Sequence, residues 1–186
     1  MIILASNSPR RRQILRLHGI RFRTFRPDYH EKNNSGNSPA RLVRMHAVGK
    51  AMSVAQRISK GEVLSADSIV YCAGRIVGKP RNMAEASRFL KLLQGRWQTV
   101  YTGVAIFWVR GGRIRKKMIF VEKTNIYLEK MNAKQIKAYF RKVNPLDKAG
   151  GYALQAGRFS GTKRIRGSYF NAVGLPIERI LSIMRP

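Results

Sequence analysis

Two hydroxyls, a proline and three arginines crowd together in "SNSPRRR", residues 6–12. An apolar run, "IILA", precedes them, and the apolar residues of a helix follow. Ser8 is a good N-cap and Pro9 suits the first helical position, so a helix is expected to begin here. The first N–H groups of a helix have no partner within it, and the helix dipole adds positive charge at the same end. Ser6 and Ser8 add hydroxyl donors. Arg10, Arg11 and Arg12 fan around the first turn with planar forks that match phosphate oxygens. Together these features suit an anion such as phosphate. The same residues also fit a solvated helix start in a chain rich in arginine throughout, and the glycine and lysine spacing of a P-loop is absent.

Further polar signatures stand at the ends of apolar runs. "SADSIVY" places Asp67 at the start of a strand, where folding needs no carboxylate. "GKP" at 78–80 places Lys79 beside a turn. "DKAGGYALQAG" holds Asp147, Lys148 and Gln155 in a stretch that glycine makes flexible. "RGSYFNAVGLP" reads as another loop, leading to a last helix near Pro176. Polar groups carried on loops above a rigid scaffold are the usual build of an active site. Each has a plainer reading: Asp67 as a turn cap, Asp147 as loop scaffold, Lys50 as a solvated helix residue. His18, His30 and His46 lack ligand spacing and are expected at the surface. Cys72 sits in an apolar pattern and is expected in the core.

The elements that must position these groups follow from periodicity. "MIILA" and "RFRTF" read as strands, and residues 9–18 as a helix that turns Ile14, Leu15 and Leu17 inward. Residues 39–58 read as a long helix with Leu42, Ala47, Ala51, Val54 and Ala55 as its apolar stripe. Two strands meet at Ala73-Gly74, and two longer ones at Gly111-Gly112. Helices are expected over 83–93 and 133–142. Helices and strands alternate around long paired strands, which predicts an α/β fold with a mixed sheet. No repeat or linker interrupts residues 1–186, so a single domain is expected.

Charge sets the chain apart. Lys and Arg number 37 against 9 Asp and Glu, a net charge of +28. Such a surface attracts polyanions and repels itself. The hydrophobic share of 44% is enough for a core, which excludes a disordered polycation. One cysteine excludes a disulfide framework and suggests a reducing compartment. The apolar runs are too short to cross a bilayer, and the start has no secretory pattern, so a cytoplasmic protein without membrane contact is expected.

The motifs resemble those of the Maf proteins, a family of nucleotide pyrophosphatases. "LASNSPRRRQIL" is similar to the family's LASxSPRRxxLL opening, "SADSIV" to GADTVV, and "VGKPRN" to LGKPxD. Arg44 followed by "GKA" is similar to the RxAxxKA helix, and "YTGVAI" and "VEKTNIYL" to two family strands. "PLDKAGGYALQ" is similar to PxDKAGAYxIQ, and "IRGSYFNAVGLP" to IxGSYxNVVGLP. They stand in family order from Ile3 to about Met184. The resemblance implies an elongated mixed α/β fold with two lobes around a cleft, usually a homodimer. It implies metal-dependent hydrolysis of a nucleoside triphosphate between the α and β phosphates. Arg10 after "SP", the "GKPR" turn and the Gln155 loop resemble the branch acting on dTTP and UTP.

On family positions the resemblance gives Ser8, Arg11, Arg12 and Lys50 to phosphate binding. It gives Lys79 to phosphate or base, and Gln155 to the base edge. Asp67 is the expected general base and metal partner, with Glu31 the second metal candidate and Asp147 a further possible carboxylate. The cofactor would be Mg, Mn or Co. Some positions depart from the family. "DYHE" lacks the middle acid of DxDE, Gly49 stands where the family often has Glu, and "TKRIRG" replaces a more acidic segment. A second reading stays open: a catalytically weak relative whose basic surface binds nucleic acid or another polyanion.

Overall fold

The computed structural model describes residues 1–31, 38–154 and 162–184. Along the chain run β1 (Ile2–Leu4), α1 (Pro9–Leu17), β2 (Phe22–Thr24), α2 (Pro39–Ala55), β3 (Lys60–Cys72) and β4 (Arg75–Val77). There follow α3 (Met83–Leu93), β5 (Arg96–Arg110), β6 (Arg113–Leu128), α4 (Ala133–Lys142) and a 3-10 turn (Ala149–Gly151). The last elements are β7 (Thr162–Arg166), α5 (Tyr169–Val173) and α6 (Ile177–Met184).

Helix starts form where the caps place them. Ser8 is the N-cap of α1, with Pro9 inside the first turn. Ser38 accepts from the N–H of Arg41 to start α2, and Asn82 from that of Glu85 to start α3. Asn132 and Gln135 form a reciprocal capping box on α4. The apolar stripe expected on α2 is buried throughout. On α1 only Ile14 and Leu15 are buried; Leu17, the last residue of the helix and two positions round from Leu15, is 66% exposed, contrary to expectation. The β3–β4 turn uses Ala73 and Gly74 at φ 49° and 76°, and the β5–β6 turn uses Gly111 and Gly112 at 60° and 68°. Those left-handed angles match the twist of paired strands.

Seven strands make one mixed sheet in the order β2-β1-β3-β5-β6-β7, with β4 paired to β3. β1 is parallel to both β2 and β3, with Ile3 opposite Arg23 and Val63. β3 with β4 and β6 with β7 are antiparallel. The mixed α/β expectation holds. Two short elements were not anticipated: α5 lies in a stretch read as loop and β7 in one given no element, and at five residues each they are too short for periodicity to show.

The chain folds as two compact units. The first holds Met1–Ser68, Thr102–Glu122 and Gly174–Pro186; the second holds Ile69–Tyr101 and Lys123–Val173. In the first, Ala47, Ala51 and Val54 of α2 pack on Ile3, Val63, Ala105 and Phe107 of the sheet. In the second, Leu90 and Leu93 of α3 and Ile136 and Tyr139 of α4 cover Val70, Cys72, Val100, Ile126 and Leu128. Cys72 is buried as expected. Among the described residues, no helix is long and apolar enough to cross a membrane.

Candidate active site

The position of Lys50 over Asp67 follows from two periodicities. Ser65 Oγ on β3 donates to the carbonyl of Ala47 on α2 at 2.5 Å. Gly103 on β5 lets α2 come close, since a Cβ there would lie 2.3 Å from the carbonyl oxygen of Val43. Three residues further along α2, about 4.5 Å of rise, comes Lys50. Two residues further along β3, about 6.6 Å, and on the same face, comes Asp67. The two offsets lie within reach of a lysine side chain, and Lys50 Nζ donates to Asp67 Oδ1 at 2.6 Å.

Glu31 completes the cluster. Its Oε1 is 2.6 Å from the same Lys50 Nζ. Lys50 is 8% exposed and Asp67 7%, so that pair lies largely out of water, while the Glu31 side chain, 51% exposed, reaches the same ammonium from the solvent side. Tyr29 lies alongside: burial first, and then the charges of Glu31 and Asp67, push its phenol above the usual tyrosine range. Its hydroxyl shares a hydrogen bond with His46 Nδ1 at 3.1 Å. His46 is therefore buried, at 1% exposure, and not at the surface as its spacing suggested.

Arg11 organises the helix start. Its Nε donates to the carbonyl of Gly174 at 2.9 Å, Nη1 to Ser6 Oγ at 3.2 Å and Nη2 to Ser68 Oγ at 3.3 Å. Ser6 Oγ also accepts from the N–H of Ser8 at 3.1 Å, and the Ser8 side chain makes no cap bond to α1. Ser68 shares a hydrogen bond of 2.9 Å with Thr102. Burial lowers the Arg11 pKa, and the negative charge of Asp67, with a smaller share from Glu31, works the other way. The guanidinium and the carboxylates thus feel one another. Ser6 was read as a donor to an anion, whereas here its oxygen accepts from Arg11; Ser68, Thr102 and Gly174 were not singled out, and the only signal for them was that Ser68 adjoins Asp67.

The first unit therefore holds Ser8, Arg11, Arg12, Glu31, Lys50 and Asp67. Arg12 is half-buried on the first turn of α1. Lys79 and Asp147 belong to the second unit. Lys79 is exposed on the turn after β4, and Asp147 pairs with Lys148, whose ammonium also reaches the carbonyl of Asn144 at 2.8 Å. Gln155 lies outside the described residues. Among the described residues, no group of three or more His, Cys, Asp or Glu gathers at a metal-binding spacing.

Over residues 1–186 the sequence matches the family of Maf-like proteins. The chain belongs to the Maf family. A dTTP/UTP pyrophosphatase of Methanosarcina barkeri is 38% identical over 185 residues, 99% of this chain and 92% of its own. One of Bacillus anthracis is 41% identical over 180 residues, 97% of this chain and 92% of its own. Among solved structures, the Ham1 protein of Staphylococcus aureus superposes with a TM-score of 0.51 at 14% identity, covering 98% of this chain and 97% of that one. That likeness is one of fold. The Maf resemblance read from the motifs is upheld, and its "SADS" and "GKA" segments are the ones that meet at Lys50 and Asp67.

Proposed function

We propose that the chain is a nucleoside triphosphate pyrophosphatase for dTTP and UTP or modified pyrimidine triphosphates, cutting between the α and β phosphates. The observation that carries this reading is the bridge of Lys50 to Asp67 and Glu31, at 2.6 Å each, with Lys50 and Asp67 buried. Burying charges costs more than such a pair commonly returns, so stability alone is a poor reason for it. The names of the M. barkeri and B. anthracis relatives support the substrate class.

In this reading Asp67 is the general base. A water oxygen attacks the α-phosphorus, and Asp67 takes the water's proton. The bond from the α-phosphorus to the oxygen bridging to the β phosphate breaks. Its electron pair leaves with pyrophosphate, and the nucleoside monophosphate is the other product. Ser8, Arg12 and Lys50 hold phosphate oxygens, while Arg11, tied to Ser6, Ser68 and Gly174, contributes a fixed positive charge. Lys79 contacts phosphate or base, Gln155 reads the base edge, and Asp147 keeps Lys148 in place.

Asp67 and Glu31 fit a divalent cation, because both are hard oxygen ligands already converging on one positive charge. Magnesium is commonly held by one or two carboxylates together with substrate phosphates. When bound, Mg, Mn or Co would offset charge developing on the phosphate oxygens. Lys50 offsets one of the two carboxylate charges, and the charge left over favours a cation. The reading includes the homodimer that the family resemblance implies.

The test is pyrophosphate release from a panel of triphosphates with each metal. Pyrimidine triphosphates should lead, and Asp67→Asn should lower the rate on the order of a hundredfold or more while the chain stays folded. No release from any triphosphate by the folded protein would refute the proposal.

A further inference from the structure

The second unit has one sheet face that its core does not use. On β5, Trp97, Thr99 and Tyr101 alternate with buried Gln98 and Val100. On β6, Lys123, Asn125 and Tyr127 alternate with buried Thr124, Ile126 and Leu128. Side chains two apart on a strand share a face, so each trio points to the side away from α3 and α4. Contacts across the strands bind the two trios together. Thr99 Oγ1 donates to Asn125 Oδ1 at 2.8 Å, and the Trp97 and Tyr127 rings meet edge to face at 5.7 Å. Tyr101 meets Tyr71 of β3 at 6.3 Å.

Cations lie on these rings. The guanidinium of Arg166 on β7 stands 4.7 Å from the Trp97 ring centre, and the Lys123 ammonium 5.4 Å from that of Tyr101. β7 pairs with β6 so that Arg166 faces Asn125 and Arg164 faces Tyr127. Trp97 is 38% exposed, and Lys123, Arg164 and Arg166 are exposed. The acids of this unit are Glu85, Glu129 and Asp147. None of them is on the trios, and Glu85 and Asp147 pair elsewhere with Arg81 and Lys148.

We propose that this face binds single-stranded nucleic acid without sequence preference. Flat rings in a row of cations are the combination such strands need: bases stack on aromatic and guanidinium planes while Lys and Arg take the phosphates. Here Trp97, Tyr127 and the Arg166 plane would receive bases, and Lys123 and Arg164 phosphates. Charge decides against a second copy of the chain, since this face would then meet its own cations. The residues of this face are not among those given to triphosphate hydrolysis, and oligomer binding and pyrophosphate release are read separately, so either proposal can fail without the other.

The experiment titrates the full chain into a fluorescein-labelled oligouridine at about 150 mM salt, where exposed charges are largely screened beyond about 8 Å. Trp97→Ala keeps the charge and should weaken binding on the order of tenfold. Lys123→Glu with Arg166→Glu should weaken it further, and more than Arg113→Glu with Arg115→Glu, an equal charge change on exposed residues of the first unit. In a Trp108→Phe background, the emission of Trp97 should be quenched as the oligomer binds. The proposal is overturned if both double variants weaken binding equally, if a folded Trp97→Ala binds as well as the parent, or if binding is absent at this salt. It is also overturned if Trp97 responds to anionic phosphatidylserine vesicles or to self-association and not to the oligomer. Should Trp97→Ala not fold, the comparison of the double variants still decides.

Discussion

Gly49 sits inside a helix, where glycine is about 1 kcal/mol worse than alanine. The reason is Tyr29, whose ring would lie 2.1 Å from any Cβ at that position. Overpacking of this kind costs about 1–3 kcal/mol, which outweighs the gain in helix propensity. Gly49→Ala is therefore expected to lower stability in the parent and to raise it in a Tyr29→Ala background. Urea unfolding of the four proteins of that cycle measures the difference, and additive effects would disprove the contact. The sequence marked Gly49 as a departure from its family but not the ring that fills the space. It also placed His46 at the surface. Both misses have one cause: Tyr29 is twenty residues from Gly49, and local spacing carries no record of what crosses over a helix. Glu31 was legible only through resemblance, whereas Lys50 and Asp67 could be paired once a helix was known to lie on β3.

Elements were legible in proportion to their length and caps. α2, α3 and α4 start at Ser38, Asn82 and Asn132, each with a side chain that accepts from the first turn. α5 and β7 were missed because five residues complete too little of a period and their pairing is made with distant segments. The anchoring of α4 gives a prediction at this scale. Tyr139 on α4 accepts from the N–H of Ala153 at 2.6 Å, and burial pushes its phenol up to about 12, the hydrogen bond working the other way. Burial pushes Tyr152 up as well. A group raised in the folded state adds stability that is complete below the unfolded value of 10 and lost by about pH 12. Across that window the loss from Tyr139 should be on the order of 2 kcal/mol. Thermal midpoints should fall steadily above pH 10, and less steeply in Tyr139→Phe. Absorbance at the phenolate band should show exposed tyrosines ionising before unfolding and these two with it.

The molecule as a whole carries its charge unevenly between surface and structure. Of its few acids, Glu31 and Asp67 hold Lys50, Glu122 holds Arg179, Glu85 holds Arg81 and Asp147 holds Lys148. Cations far outnumber these acids, and a net charge of +28 opposes the compact state. Salt should therefore stabilise the chain. Between about 10 mM and 1 M sodium chloride the Debye length falls from about 30 Å to 3 Å, and calorimetry should show a rise of several degrees in Tm. An unchanged Tm would mean that the cations are already spaced beyond each other's influence. This property was fully legible in the composition, because self-repulsion depends on the total and not on the fold.

Cys72 has a practical bearing of its own. It is the chain's single thiol; it lies in the core of the second unit, and burial keeps it protonated by raising its pKa. Thiolates, not thiols, take up maleimides and iodoacetamides. A cysteine introduced at exposed Gln13, on α1 beside the arginines, would thus be the one fast-reacting handle in the molecule. A dye could be seated next to the arginine-rich start of α1 without first removing the native residue from a packed core.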